Sequence, residues 1–186
     1  MKTLTTKLGK IISIRLPQPT DLNALYKYAK TIEAEDTYIT LNPKEPITLE
    51  EEKSFLKHTI DQINKKTKLH FLVLDGDQII GASHIEKNGR RSTHIGTFGI
   101  ALLKEYRSQG IGKKLMEYII SEAQTTLKVS KITLNCLANN KVAIKLYKKF
   151  GFKKIDTTFN FYGPVSVEKV LILDLQNRLQ KNDFKK

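Results

Sequence analysis

Apolar positions along the chain switch between a period of two and a period near 3.6, and the switches divide it into short elements. Ile11 to Leu16 reads as a strand halted by Pro17 and Pro19, and Thr20 is placed to cap a helix over Asp21 to Lys30. Thr48-Leu49-Glu50-Glu51 matches the capping-box pattern, so a second helix is expected to about Lys65, with Thr31 to Ile47 a loop or short helical turn between. Leu69 to Leu74 and Gln78 to Glu86 are expected strands around the hairpin signal Asp75-Gly76-Asp77. A second turn at Lys87 to Arg91 leads to a strand from Thr93 to about Leu103. Ile111, Leu115, Ile119, Ile120, Ala123 and Leu127 form one apolar helical face, predicting a helix from Gly110 to Leu127. Lys131 to Leu137 is the next strand and Asn140 to Phe150 the next helix, with Gly151 as its C′ glycine. Phe152 to Thr158 and Val165 to Leu175 complete seven strands in the order β-α-α-β-β-β-α-β-α-β-β, an α/β pattern.

Length adds that 186 residues suit one domain over 1–186, ending in a short basic tail at 181–186. No apolar run approaches the roughly 18 residues of a membrane span, and the N-terminus lacks a signal-peptide core, so a cytoplasmic setting is expected. Cys136 is the one cysteine, which excludes an internal disulfide and reads as core. His58, His70, His84 and His94 are scattered without ligand spacing, so no metal is expected. Charge changes the picture most: 32 Lys and Arg against 19 Asp and Glu give +13. A polyanionic partner is one reading: nucleic acid, an anionic membrane surface or a phosphate-rich small molecule. A lysine-rich, soluble surface is the other.

Two segments carry candidate chemistry. Tyr106-Arg107-Ser108-Gln109-Gly110-Ile111-Gly112-Lys113-Lys114 lies between a strand and a long amphipathic helix. Glycines at a helix start leave backbone N–H groups open to an anion, the helix dipole adds partial positive charge, and Arg107, Lys113 and Lys114 add full charges. That is a pyrophosphate cradle or a tight turn. It is neither a Walker A loop nor a Rossmann fingerprint, because the glycine spacing fits neither. In the second segment Asn140, Ala143, Ile144 and Tyr147 share one helix face that suits a groove holding an extended ligand, whereas Val142, Leu146 and Phe150 share the face expected to be core. Asn140 as a plain N-cap and Tyr147 as a rim aromatic are the structural alternative.

With the strand that precedes each, these segments resemble the GCN5-related N-acetyltransferase (GNAT) superfamily over nearly the whole chain. Arg107, Gly110 and Gly112 match its Q/R-x-x-G-x-G/A pattern; Asn140, Ala143, Leu146, Tyr147, Gly151 and Phe152 match N-x-x-A-x-x-L-Y-x-x-x-G-F. Phe98-Gly99-Ile100 and Val167-Glu168-Lys169-Val170-Leu171 look most like the bacterial branch acting on small amines or protein N-termini. The resemblance implies a mixed, twisted sheet with helices on both faces and splayed central parallel strands, here Thr93 to Leu103 and Lys131 to Leu137. It implies direct transfer of acetyl from acetyl-CoA to an amine, without metal, by a monomer or homodimer. Cofactor contacts carried over are Leu102, Leu103, Arg107, Gln109, Gly110, Ile111, Gly112, Lys113, Asn140, Ala143 and Tyr147. Backbone around Leu102 and Leu103 would hold the pantetheine and polarise the thioester, and Tyr147 would protonate the departing thiolate.

The sequence departs from the family at the base. Eleven residues ahead of Arg107, where the family often has a glutamate, stands Gly96. His94, on the same strand, is the nearest titratable substitute, with Glu86 and Glu35 as rivals and a water chain as the alternative. Between Thr31 and Gln62 eight acids stand against three lysines, a local −5 in a +13 chain. In the family this region borders the acceptor, so Glu33, Glu35 and Asp36 are expected to favour a cationic amine. Two other classes stay open. A nucleic-acid-binding module is disfavoured because no recognition-helix or aromatic-basic pattern occurs, and an acyl-CoA sensor would bind without transfer.

Overall fold

The computed structural model describes residues 2–35, 45–159 and 167–175. Asp36, the basic tail and the start of the Val165 to Leu175 strand lie outside them, and side chains are described only outside 156–170. The chain forms two compact units, the first of Met1–Ile85 with Gly99–Leu127, the second of Glu86–Phe98 with the chain from Lys128 onward.

The first unit opens with β1 (Lys2–Thr5), which pairs antiparallel with β2 (Ile11–Arg15). A short 3₁₀ turn at Pro19–Asp21 leads into α1 (Leu22–Ala34). Asp21, not Thr20, takes the cap position. Its carboxylate is occupied by a bidentate pair with Arg15 at 2.6 Å on each oxygen and by the Gln18 N–H at 2.7 Å. The helix runs four residues past Lys30 because Ile32 and Glu33 are buried on it. Thr48 and Glu51 form the expected capping box at the head of α2 (Leu49–Asn64). β3 (Lys68–Asp75) is buried along nearly its whole length, as a strand covered on both faces must be. Gly76, at φ +58°, makes the turn into β4 (Gln78–Lys87). Phe55 of α2 meets β3 on one face at His70, and Tyr118 of α3 (Ile111–Glu122) meets it on the other at Phe71. Helices therefore cover both faces here. A π-helical turn at Ala123–Leu127 ends what the sequence reads as one continuous helix. The strand order in this unit is β1-β2-β3-β4-β5, where β5 (Ile95–Leu102) enters from the second unit.

In the second unit the order is β5-β6-β8-β7, with β6 at Lys131–Leu137, β7 at Lys153–Phe159 and β8 at Val167–Asp174. β6 pairs with β8 antiparallel over all seven of its residues. Against β5 it runs parallel for only three pairs, Ile95↔Lys131 to Thr97↔Thr133, although both strands continue for four or more residues. The eight strands among the described residues make a mixed, mostly antiparallel α/β fold, one strand more than the hydrophobic pattern reveals. α4 (Lys141–Lys149) packs Ile144, Tyr147 and the following Phe150 inward. No helix among the described residues is long and apolar enough to cross a membrane.

Candidate active site

The loop between β5 and α3 has the backbone of an anion cradle. Ser108 at φ +63° and Gly110 at φ +84° are both left-handed, and Gly110 is the cap residue of α3. An L-residue at Gly110 would be strained, although its Cβ would meet only the Lys7 side chain at 3.5 Å. The first α-helical bond of α3 runs from Lys114 N–H to Gly110 C=O, so the N–H groups of Ile111, Gly112 and Lys113 have no partner one turn back. They fit a phosphate group at a helix N-terminus. Gln109 is tied to this loop by a 2.7 Å bond from Nε2 to the Glu105 carbonyl, and its Oε1 is buried without a hydrogen-bond partner. Lys113 is two-thirds exposed beside Glu117, whereas Lys114 donates to the Thr5 carbonyl at 2.6 Å.

Arg107 does not project into this cradle as the charge count suggested. Its Nε donates to the Leu102 carbonyl at 2.8 Å and its guanidinium pairs with Glu35. The Leu103 N–H donates to Ile80 C=O at 2.9 Å. Two of the backbone groups expected to face pantetheine are thus engaged within the unit. Glu35 also accepts the Lys104 N–H at 2.7 Å. Glu33, 3% exposed, accepts from Lys30 at 2.6 Å and from the Ile47 N–H at 2.9 Å, which hold its carboxyl below the usual range. Both carboxylates are therefore structural ties, because extension of α1 places them against the protein and not along an open loop.

In the second unit, Asn140 caps α4, its Oδ1 accepting the Ala143 N–H at 3.1 Å. The expected core face is kept only in part: Phe150 is buried and Leu146 half-buried, but Val142 is 76% exposed, and Tyr147 and Ile144 of the other face are 7% and 9% exposed. With nine residues and apolar groups on both sides, α4 is oriented by the strands beneath it and not by its own pattern. Its C-terminus is a Schellman motif, with Phe152 N–H to Tyr147 C=O at 3.1 Å, Gly151 N–H to Lys148 C=O at 3.0 Å, and Gly151 at φ +88°. The Tyr147 ring packs on Phe152 and edge-on to Phe98, with centroids 5.9 and 6.2 Å apart. Burial pushes its phenol well above the ordinary value, so it stays protonated. A hollow of about 560 Å³ on α4 is lined by Lys141, Lys145, Lys148 and Lys149 with Ala138 and Ile144, which concentrates positive charge there.

His94 lies outside β5, which begins at Ile95 and not at Thr93. It occupies an exposed turn whose carbonyl accepts the Ser130 and Lys131 N–H groups at 2.9 and 3.2 Å, at the paired end of β5 and β6. Glu86 is half-buried on β4. His84, left aside in the sequence, is the histidine that the fold brings against β5. Its Cε1 would lie 2.4 Å from a Cβ at Gly99. A glycine inside a strand marks such a close approach, and Gly99 was the readable signal. No group of three metal-ligating side chains occurs among the described residues.

A left-handed loop at a helix head marks an anion-binding site. The chain belongs to the acetyltransferase (GNAT) family, whose model matches residues 29–152. It is 35% identical to the L-amino acid N-acetyltransferase AaaT of Escherichia coli over 43% of this chain and 49% of that protein. The chain spans about half the length, or less, of the first curated relatives it matches. Among solved structures it is similar in fold to a GNAT acetyltransferase from Streptococcus pneumoniae, with TM-score 0.78, 24% identity and coverage of 88% and 99% of the two chains. It is similar also to spermidine N-acetyltransferase from Vibrio cholerae in complex with CoA and spermine, with TM-score 0.73, 19% identity and coverage of 90% and 98%.

Proposed function

We propose that this chain is an acetyl-CoA-dependent N-acetyltransferase that acts on a primary amine, either a small cationic amine or a protein N-terminus. The observation that carries the reading is the left-handed Ser108 to Gly110 loop at the head of α3, inside the family-matched segment. When bound, acetyl-CoA supplies an acetyl group activated as a thioester. The N–H groups of Ile111, Gly112 and Lys113 take the pyrophosphate, Lys113 adds a full charge, and Gln109 shapes the loop from beneath. Arg107 acts one step back, by fixing the Leu102 carbonyl on β5. Asn140 and Ala143 form the capped first turn of α4. Tyr147 holds a proton at its phenol oxygen for the departing sulfur, a role that needs the protonated phenol its burial maintains. The relatives named above include an L-amino acid N-acetyltransferase and a spermidine N-acetyltransferase, and the second supports the small cationic amine.

Calorimetry with acetyl-CoA tests the cradle through Gly112→Asp. An acid in the first turn favours the helix, so the variant should fold. Loss of at least about tenfold in affinity, about 1.4 kcal/mol, is expected. Unchanged affinity would remove this loop from the cofactor site.

A further inference from the structure

On the face of the first unit covered by α1 and α2, β4 is not sealed. Ser83 and Ile85 are fully buried toward α3, whereas Ala82 and His84, which point the other way, are half-buried. The Leu103 N–H to Ile80 C=O bond fixes the antiparallel register in which His84 stands opposite Gly99. The ring lies across that glycine: a Cβ there would be 2.4 Å from its Cε1 and 2.9 Å from its Nε2. Ser83 Oγ donates to the Gly99 carbonyl at 2.9 Å and steadies the same point of β5. From the other side His84 stacks on His70 of β3, centroids 6.0 Å apart and planes 7° from parallel. His70 is itself held edge-on by Phe55 of α2 at 5.8 Å. An imidazole fixed on two sides, on a half-open face and against a strand lacking a side chain, is placed to meet a ligand lying along β5.

We propose that His84 takes the proton from the incoming amine, an inference that rests on the reading of the chain as an N-acetyltransferase. The ammonium gives one proton to the imidazole, and the lone pair so freed attacks the thioester carbonyl carbon. The C–S bond breaks with its electrons on sulfur. The second nitrogen proton leaves as the thiolate gains one, and the imidazolium returns its proton to water, so one amide, one thiol and one proton result. His94 stands in an exposed turn and Glu35 is held by Arg107 and Lys104, which leaves His84 the better placed of these groups.

The titratable groups around it come from four elements: His70 and Lys68 on β3, Glu86 two residues along β4, Glu52 on the buried face of α2, and Tyr28 on α1, whose hydroxyl donates to Ala101 C=O of β5 at 3.1 Å. Gly99 and Ala101 bring none. His70 stays neutral, its pKa lowered to about 3 by burial and by the neighbouring His84 and Lys68.

The test measures kcat/KM against pH with acetyl-CoA and a panel of spermidine, free L-amino acids and a short peptide with a free N-terminus. For the amine used best, His84→Gln should lower kcat/KM about 100-fold and remove the acidic limb, with KM for acetyl-CoA within about threefold and the limb intact in Glu86→Gln. Added imidazole should restore at least about tenfold of the activity of His84→Ala. In the wild type, the NMR titration of the His84 ring should share its midpoint with the acidic limb, a readout independent of any variant's folding. Retention of both rate and limb in folded His84→Gln, or a different ring midpoint, overturns the inference while the transferase reading stands. A wild type that acetylates no amine in the panel overturns both.

Discussion

The Glu35 carboxylate accepts hydrogen bonds from the Arg107 guanidinium and the Lys104 N–H, and so ties the C-terminus of α1 to the segment that leads from β5 into α3. The pair is mostly shielded, with side chains 13% and 34% exposed, and the second arm of Arg107 reaches the Leu102 carbonyl. We propose that Glu35 serves cofactor positioning, through Arg107, and not acceptor recognition. Glu35→Gln should raise KM for acetyl-CoA by about tenfold, with KM for the amine within about twofold. If instead the amine KM rises alone, Glu35 recognises the acceptor and the tie is incidental.

Glu52 is 3% exposed on α2, and burial holds its carboxyl above the usual range. A raised carboxylate pKa means that the native state favours the protonated form. Its contribution to stability is greatest below the unfolded pKa and falls as pH rises through the folded pKa. Glu52→Gln should accordingly raise Tm at pH 8, with the gain shrinking toward pH 4. Thermal unfolding at the two pH values checks it, and an equal Tm change at both would show that the charge is not the cause.

His70 carries the opposite sign. Its folded pKa lies near 3, below the ordinary 6.5, because burial disfavours the imidazolium. Its stabilising contribution is complete above pH 6.5 and is lost as pH falls toward 3. Urea denaturation at pH 7 and pH 5 should show wild-type stability falling between them and His70→Phe falling less. A parallel decline in both proteins would place the acid sensitivity elsewhere.

Tyr147 is buried between Phe98 and Phe152, and Gly151 fixes its turn. Tyr147→Phe should keep this packing and lower kcat about 100-fold, with KM for acetyl-CoA changed less than about threefold. A loss under fivefold would mean that sulfur receives its proton from water or from the amine.

Features governed by neighbouring residues were legible in the sequence. The Thr48 and Glu51 capping box, the Gly76 turn, the full extent of β6 and the Gly151 stop each depend on side chains within a few positions. β1 was not legible, because Lys2–Thr5 is a short, mostly exposed strand whose order comes from pairing with β2. Nor was the inward face of α4, which only the underlying strands decide. For the site, the loop at Gly110 could be read as a cradle from its glycines, whereas the actual use of Arg107, Glu33 and Glu35 could not. Their partners lie 72 positions away in the Glu35 to Arg107 bond and 14 in the Glu33 to Ile47 bond. His84 is not legible for the same reason: its surroundings are assembled by cross-strand register from β3, β4 and β5, and only Gly99 inside a strand hints at it.

The central claim, transfer of acetyl from acetyl-CoA to a primary amine, is tested most directly by following CoA thiol release and acetylated product together, by thiol titration and mass spectrometry, across the amine panel. Transfer predicts thiol release that depends on an amine, with one N-acetylated product formed for each thiol. Tight acetyl-CoA binding with no amine-dependent thiol release would contradict it in favour of an acyl-CoA sensor. Salt-sensitive retention of RNA or DNA without acetyl-CoA affinity would contradict it in favour of nucleic-acid binding.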